Sequence, residues 1–339
     1  MNENIKLTGV SPVYAIPGGE VVLDGAGFTP GAEDFACLFD GRPAHASGAS
    51  SRRVLAIVPE GADGELDVSV QGSAPVRLTV GKMLAEDMHI VANPAFDPTD
   101  GSLILTRSGS RGQHLPVTLF RLEPDGYLEE IPADIMNPTG VAFANSGQLF
   151  VTNRADGLAC RVSRSGEVIP FASGLGIATG IAFDKHSVMY VGDRAGIIYR
   201  IKSIDSTEVF ARLDASVSAY HMAFSPAGDL YVTGPGLSSF DGIWRINPLG
   251  ETTTFFRGLG RPQGLAFDTE GNLYVAACLR GKRGIVRIAP DGESAELFVA
   301  GMNVVGLCFS AKGEMIVATN EEVFSLPMGI YGTLLDPNN

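Results

Sequence analysis

Short runs of alternating apolar and polar residues, separated by glycine, proline and aspartate, fill most of this 339-residue chain. Alternation of this kind is typical of β-strands that bury one face, and the residues between the runs are typical of tight turns. From about residue 88 the runs recur around a phenylalanine, found at Phe96, Phe143, Phe183, Phe224, Phe267 and Phe309. Spacings of 47, 40, 41, 43 and 42 residues, with four strand-like runs per repeat, predict a β-propeller of six blades.

The repeat that shows the pattern most clearly covers residues 262–301, PQGLAFDTEGNLYVAACLRGKRGIVRIAPDGESAELFVAG. It divides into strand A (GLAF), strand B (LYVAA), strand C (GIVRIA) and strand D (AELFVA). The last repeat has three clear strands, and its fourth is either KMLAED, at residues 82–87, or YGTLL, at 331–335. We favour KMLAED, because pairing the first strand of the ring with the last closes the ring and removes an exposed edge.

The first 80 residues follow a different pattern, with short alternating runs such as EVVLDG, RVLAIV and ELDVSV between turn residues. This pattern is typical of a small β-sandwich. The motif order S-P, P-G-G, G-x-G-F, F-D-G, V-P-x-G and D-V-x-V resembles an IPT/TIG domain, which has an immunoglobulin-like fold. The resemblance implies a spacer or an interaction surface, and we predict no chemistry in this part of the chain.

The repeats of the second part, of which GLAFDTEGNLYVA is typical, resemble NHL-repeat propellers and, more broadly, the senescence-marker/gluconolactonase group of six-bladed propellers. This resemblance covers about 250 residues and is specific for the fold, not for an activity. The sequence therefore predicts an all-β protein with almost no helix. It consists of an N-terminal immunoglobulin-like β-sandwich over residues 1–80 and a six-bladed β-propeller over about 82–337.

Composition excludes several classes of partner. The net charge of −13 and the absence of a Lys/Arg run argue against nucleic acid, which is itself polyanionic. No apolar run approaches the roughly 20 residues that span a bilayer, so we predict no membrane partner. No signal peptide is visible, which predicts a cytoplasmic protein, or an extracellular one if this chain is part of a longer one. The four cysteines show no metal spacing and are expected to be unpaired, because Cys160, Cys278 and Cys308 fall in different blades.

One column of the repeat, meaning one position compared across all six blades, suggests a functional site at the mouth of the central channel. Strands A and B run antiparallel, so the start of A and the end of B lie at the same end of each blade. Three residues before the anchor phenylalanine, four blades have glycine, whereas blades one and four have Asn93 and His221. Because these blades lie opposite each other in a six-bladed ring, we expect Asn93 and His221 to face each other across the axis. His221 is then a ligand contact, a packed structural residue or, least favoured, a metal ligand.

Other polar residues are expected around the same mouth. They are Thr139, Thr179, Tyr220 and Gln263 in the preceding column, Arg107, Asn153 and Asp193 where strand B ends, and Arg154 and Arg194 directly after it. Arginine suits carboxylate and phosphate groups, so the predicted partner is a small polar or anionic ligand, or another protein. The alternative is that Asn153 and Asp193 tie turns while the arginines bridge blades. A long loop in blade one, RSGSRGQHLP at residues 107–116, is expected to overhang the mouth and carries His114.

The resemblance to gluconolactonase-type propellers implies a divalent metal held by a Glu and two Asn or Asp side chains. At two of the matching positions this chain has Thr139 and Gln263, and the column holds no carboxylate, which hard cations prefer. We therefore predict no metal ligands and no cofactor, with a channel cation such as calcium as the less favoured alternative. The G-x-S-x-G elbow, the P-loop and H-E-x-x-H are also absent.

Two functional hypotheses follow. The first is a propeller-based binding or scaffold protein with a polar site at the channel mouth. The second is a hydrolase or lyase, gluconolactonase-like or similar to virginiamycin-type lyases, that acts on a small polar ligand with His221 as acid and base.

Overall fold

The computed structural model describes residues 5–109, 113–204, 206–238 and 240–333. Within these ranges every regular element is a β-strand, so the predicted all-β class is confirmed. The same ranges contain no helix that is long and apolar enough to cross a membrane.

The N-terminal part is a sandwich of two sheets. Its strands are β1 (Lys6–Ser11), β2 (Tyr14–Ala15), β3 (Glu20–Ala26), β4 (Cys37–Phe39), β5 (Arg42–Pro43), β6 (Ala46–Ala49), β7 (Arg53–Ile57), β8 (Gly64–Val70) and β9 (Val76–Val80). One sheet has the order β1-β3-β7-β6, and the other has the order β2-β9-β8-β4-β5. Alternate residues of both sheets, including Leu23, Val54 and Val68, are buried in one shared core, as the alternation in the sequence predicts.

The rest of the described chain forms four-stranded antiparallel units, which are the blades of a β-propeller. The first strand after the sandwich is β10 (Lys82–Ala85), and blade one contains β11 (Ala95–Phe96), β12 (Leu103–Thr106), β13 (Leu119–Leu122) and β14 (Leu128–Ile131). Blade two contains β15 (Pro138–Phe143), β16 (Leu149–Asn153), β17 (Leu158–Val162) and β18 (Val168–Ala172). Blade three contains β19 (Ala178–Phe183), β20 (Met189–Asp193), β21 (Ile197–Ser203) and β22 (Ser206–Arg212).

Three further units follow in the same way. Blade four contains β23 (His221–Phe224), β24 (Leu230–Thr233), β25 (Asp241–Ile246) and β26 (Thr252–Gly260). Blade five contains β27 (Leu265–Phe267), β28 (Leu273–Leu279), β29 (Lys282–Ile288) and β30 (Ala295–Ala300). Blade six contains β31 (Val304–Phe309), β32 (Glu314–Thr319) and β33 (Val323–Pro327).

The fourth strand of blade six is β10, which pairs antiparallel with β33. Lys82 lies opposite Ser325 and Met83 opposite Phe324, so the preference for KMLAED as the closing strand is confirmed. The alternative segment lies beside blade five instead, where Gly332 forms a bridge to Asp268. Residues 334 and 335 of that segment lie outside the described residues.

The recurring phenylalanine of strand A joins neighbouring blades. In four of the blades its ring packs on an aromatic residue of strand B in the preceding blade, at a spacing typical of aromatic pairs. The pairs are Phe183 with Phe150 at 5.2 Å, Phe224 with Tyr190 at 5.1 Å, Phe267 with Tyr231 at 4.9 Å and Phe309 with Tyr274 at 5.2 Å between ring centroids. The residue on which the sequence repeat was aligned is therefore a packing residue between blades.

All four cysteines are free thiols. Cys160 lies in β17, Cys278 in β28 and Cys308 in β31, so the three fall in different blades, as expected. Burial raises the pKa of Cys37 to about 12 and is the main reason that the pKa of Cys160 rises to about 11. Both side chains therefore remain protonated at neutral pH and serve as apolar core residues.

Candidate functional site

The central channel has two openings, at opposite ends of the blades. One opening, which we call the arginine mouth, is a cavity of about 310 Å³ at the end where strand A starts and strand B ends. The residues relevant to binding in its wall are Thr139, Arg154, Thr179, Arg194, Gln263 and Asn320. The structure thus brings five of the predicted site residues to one cavity.

The two arginines are held there by the turns that follow strand B. The amide oxygen of Asn153 accepts a hydrogen bond from the backbone N–H of Ala155 at 3.0 Å, and its NH₂ group donates to Asp156 at 2.7 Å. In blade three, the Asp193 carboxylate accepts from the N–H groups of Ile177 at 3.0 Å and Ala195 at 3.1 Å. Asn153 and Asp193 therefore tie their turns, as the alternative reading expected, and they fix the backbone that carries Arg154 and Arg194.

The charges of these arginines are not neutralised by neighbouring carboxylates. Both side chains are half-buried, and in the described part of the chain neither forms an ion pair. The Nε of Arg194 donates to the backbone oxygen of Ser216 at 3.3 Å, which leaves its terminal nitrogens available. Burial, and secondly the positive charge of Arg194, lower the pKa of Arg154. The mouth thus holds two positive charges that repel each other and form no ion pair with a described carboxylate.

Several predicted contacts are not at the arginine mouth. Tyr220 is fully buried between blades three and four, and its hydroxyl donates to the backbone oxygen of Asp214. Burial raises its pKa. Its ring occupies the space beside Gly192 and Gly234, where a Cβ on Gly234 would come within 2.5 Å of it. Tyr220 is thus a packing residue, which corrects its expected place around the mouth.

Arg107 and the described residues of the blade-one loop are likewise not part of the cavity wall. Arg107 is half-buried, and its backbone N–H donates to Thr118 at 2.7 Å. Of the predicted overhanging loop, residues 110–112 lie outside the described residues. The His114 imidazole is exposed and lies 3.6 Å from the Asp134 carboxylate.

Asn93 and His221 line a different and much larger space. This channel cavity, of about 1280 Å³, runs along the innermost strands and opens at the opposite end, where the A–B and C–D turns lie. The Asn93 amide is already engaged, because its NH₂ donates to Leu265 at 3.0 Å and its oxygen accepts from Leu307 at 3.2 Å. Asn93 therefore joins blade one to blades five and six. Neither Asn93 nor His221 lines the arginine mouth, which corrects their expected place there.

His221 differs from Asn93. It is 4% exposed, and no hydrogen bond joins its imidazole to any residue that the structure describes. Burial lowers its pKa to about 4, so the ring is neutral at physiological pH.

A metal site of the gluconolactonase type does not fit these residues. Thr139, in the column where that group has carboxylate or amide ligands, donates its hydroxyl to the backbone oxygen of Ala178 at 2.9 Å. Among the described residues, no group of three or more His, Cys, Asp or Glu side chains is placed to hold a metal ion.

Sequence reasoning missed His89, Ser218 and Asn320, which also line the arginine mouth. Asn320 could have been found, because it stands directly after strand B of blade six, as Arg154 and Arg194 do in their blades. His89 and Ser218 precede strand A in segments of variable length, where the repeat gives no register.

No protein-family model and no curated protein sequence matches the chain. Solved structures do resemble it. An auxiliary nutrient binding protein from Bacteroides ovatus is 16% identical with a TM-score of 0.56, and the match covers 96% of this chain and 98% of that one. This match extends over both parts of the chain.

Two further structures match a smaller share of this chain. A gluconolactonase from Xanthomonas campestris is 15% identical with a TM-score of 0.59, covering 79% of this chain and 95% of that one. A calcium-binding regucalcin from Agrobacterium tumefaciens is 17% identical with a TM-score of 0.60, covering 75% of this chain and 95% of that one. At these identities the likeness shows the fold. The chain is a β-propeller protein similar in architecture to gluconolactonase-like and nutrient-binding proteins.

Proposed function

We propose that this protein is a binding protein that holds a small anionic molecule at the arginine mouth. In this proposal an IPT/TIG-type sandwich is joined to a six-bladed, NHL-type propeller. The observation that carries it is the pair Arg154 and Arg194, two half-buried guanidinium groups that line one cavity and have no carboxylate partner among the described residues.

The cavity suggests the class of ligand. Its volume of about 310 Å³ is at the lower end of small-molecule sites. Guanidinium groups bind carboxylate and phosphate oxygens with two parallel hydrogen bonds, and burial strengthens such bonds. The amides of Gln263 and Asn320 supply donors and acceptors for hydroxyl groups. A small hydroxy acid or a phosphate monoester fits this arrangement.

Catalysis by His221 has less support. The imidazole lies in the channel cavity and not in the cavity of the arginines. Its pKa of about 4 is also far from the near-neutral value at which a general acid and base works best. No carboxylate forms an ion pair or hydrogen bond with it among the described residues, as an orienting partner would.

Calorimetric titration with citrate and with glycerol phosphate at low ionic strength tests the proposal. We expect saturable binding of at least one anion by the wild-type protein. Arg154→Gln and Arg194→Gln should each weaken it by about tenfold or more, because a hydrogen bond between charged groups contributes roughly 1.5–3 kcal/mol. Binding should also weaken with added salt.

Arg42→Gln is the matched control, because Arg42 is exposed on the sandwich and lines neither cavity. Its anion affinity should equal that of the wild type. Equal affinity in all three variants, or no binding of either anion, would contradict the proposal.

A further inference from the structure

The channel cavity has mainly apolar walls. Small residues stand in each blade directly before the anchor phenylalanine, and Ala142, Ala223 and Ala266 are half-exposed there. Because these side chains are small, the innermost strands enclose an open space of about 1280 Å³. This volume is larger than that of typical small-molecule sites, and apolar walls with few polar groups are typical of such sites.

One buried polar side chain on this wall is free. The hydroxyl of Thr139 and the amide of Asn93 have the partners described above. His221, which is 4% exposed and lines the cavity, has none among the described residues. Neither ring nitrogen is among the fully buried side-chain atoms that lack a partner in the described residues, so the imidazole reaches the open space of the cavity. The imidazole therefore offers one hydrogen bond to a molecule inside the channel.

The interior around His221 carries no charge of its own. The charged residues that line the cavity are Asp97, Glu123, Asp184, Lys185, Arg200, Lys312 and Glu314. None of them lies on an innermost strand, and Arg200 is paired with Glu208. Burial is the cause of the low pKa of His221, and none of these charged groups contributes to the shift. A charged ligand would lose its hydration here and gain no opposite charge.

We propose that the channel cavity is a second binding site, for an uncharged and mainly apolar molecule whose one hydroxyl or carbonyl group hydrogen-bonds to His221. A neutral imidazole suits either group, because one ring nitrogen donates and the other accepts. The site is distinct from the arginine mouth, since only Thr139 lines both cavities and they open at opposite ends.

Fluorescence titration with Prodan, an uncharged naphthalene ketone, tests the proposal on the full-length protein at about pH 7. Its emission shifts to the blue in an apolar pocket, and its carbonyl can accept from His221. We expect saturable binding to the wild type. His221→Leu should weaken it by about fivefold, the effect of one neutral hydrogen bond. Ala223→Leu, which adds volume to the wall, should weaken it further.

His45→Leu is the matched control, because His45 is exposed on the sandwich and lies outside both cavities. It should bind Prodan as the wild type does, and melting curves show whether each variant is folded. If Ala223→Leu does not fold, Prodan-induced changes of the His221 ring ¹⁵N resonances in the wild type provide the second readout. No saturable binding, affinities unchanged in both cavity variants, or unperturbed His221 resonances would overturn the proposal.

Discussion

Glycine recurs three residues before the anchor phenylalanine because the innermost strands of neighbouring blades nearly touch there. A Cβ on Gly140 would lie 2.4 Å from the backbone oxygen of Thr179, and one on Gly180 would lie 2.6 Å from that of Tyr220. Packing between neighbouring blades therefore requires glycine at these two positions. The repeat showed that His221 was exceptional, but the register of a repeat does not tell which cavity a side chain lines.

We expect the folded protein to lose stability as the pH falls, because His221 is buried in its neutral form. Its pKa is about 4 in the folded protein and about 6.5 in an unfolded chain. The unfolded state therefore binds more protons between these values, so the contribution of His221 is fully present above pH 6.5 and is lost as the pH falls towards 4. The shift corresponds to roughly 3 kcal/mol. In His221→Gln this part of the pH dependence should be absent.

Urea unfolding of the wild type and of His221→Gln at several pH values from 7 to 4 measures this difference. All other titrating groups are common to the two proteins, so they cancel in the comparison. If the two stability curves run parallel over this range, His221 is not the neutral buried group described above.

At the scale of elements, alternation and turn residues predicted the strands of blade five well. Strand D was expected as AELFVA and is β30, Ala295–Ala300. The pattern did not show which polar side chains form hydrogen bonds with the backbone of the turns and which remain available to a ligand. Asn153 and Arg154 are adjacent in sequence, yet the first ties its turn and the second lines a cavity. That distinction depends on contacts made across the fold, which a single sequence does not contain.

A buried ion pair inside blade one gives a prediction at this scale. Nη1 of Arg121 lies 3.1 Å from Oδ2 of Asp97, and the two side chains are only 4% and 6% exposed. Arg121→Met would leave the Asp97 carboxylate buried without its counter-charge, which typically costs about 3–5 kcal/mol. Urea unfolding at about pH 7 measures the loss.

Arg53 is the matched control, because its Nε lies 2.8 Å from Oδ1 of Asp24 and both side chains are exposed, at 61% and 46%. Arg53→Met should therefore cost no more than about 1 kcal/mol. Similar losses in the two variants would show that burial does not control the contribution of these pairs.

At the scale of the whole molecule, the sequence separated the two parts but did not show how they join. The sandwich is not merely tethered, because β2 pairs in parallel with both β9 and β30 and so makes one continuous sheet with blades four and five. With only two residues, β2 has too little alternation to be recognised as a strand. Gly19 follows it closely, and a Cβ there would lie 2.5 Å from the backbone oxygen of Ala300.

Ile16 is one of the side chains that join the two parts. Its N–H donates to Ala300 at 2.9 Å, and the side chain, 1% exposed, lies in the apolar cluster between blades five and six. Ile16→Ala should therefore destabilise the protein by about 2–5 kcal/mol, the usual cost for a buried isoleucine, and should act on the propeller. Leu23→Ala is the control, since Leu23 is equally buried but lies in the sandwich core.

Hydrogen exchange measured by mass spectrometry distinguishes the two variants by location. Ile16→Ala should accelerate exchange in β30 and β31 as well as in β2, because local opening follows the loss of packing around the residue removed. Leu23→Ala should accelerate exchange mainly in the sandwich strands β3, β7 and β8. If Ile16→Ala leaves β30 and β31 as protected as in the wild type, the sandwich contributes nothing to the stability of the propeller, and the shared sheet is only a contact between independently stable domains.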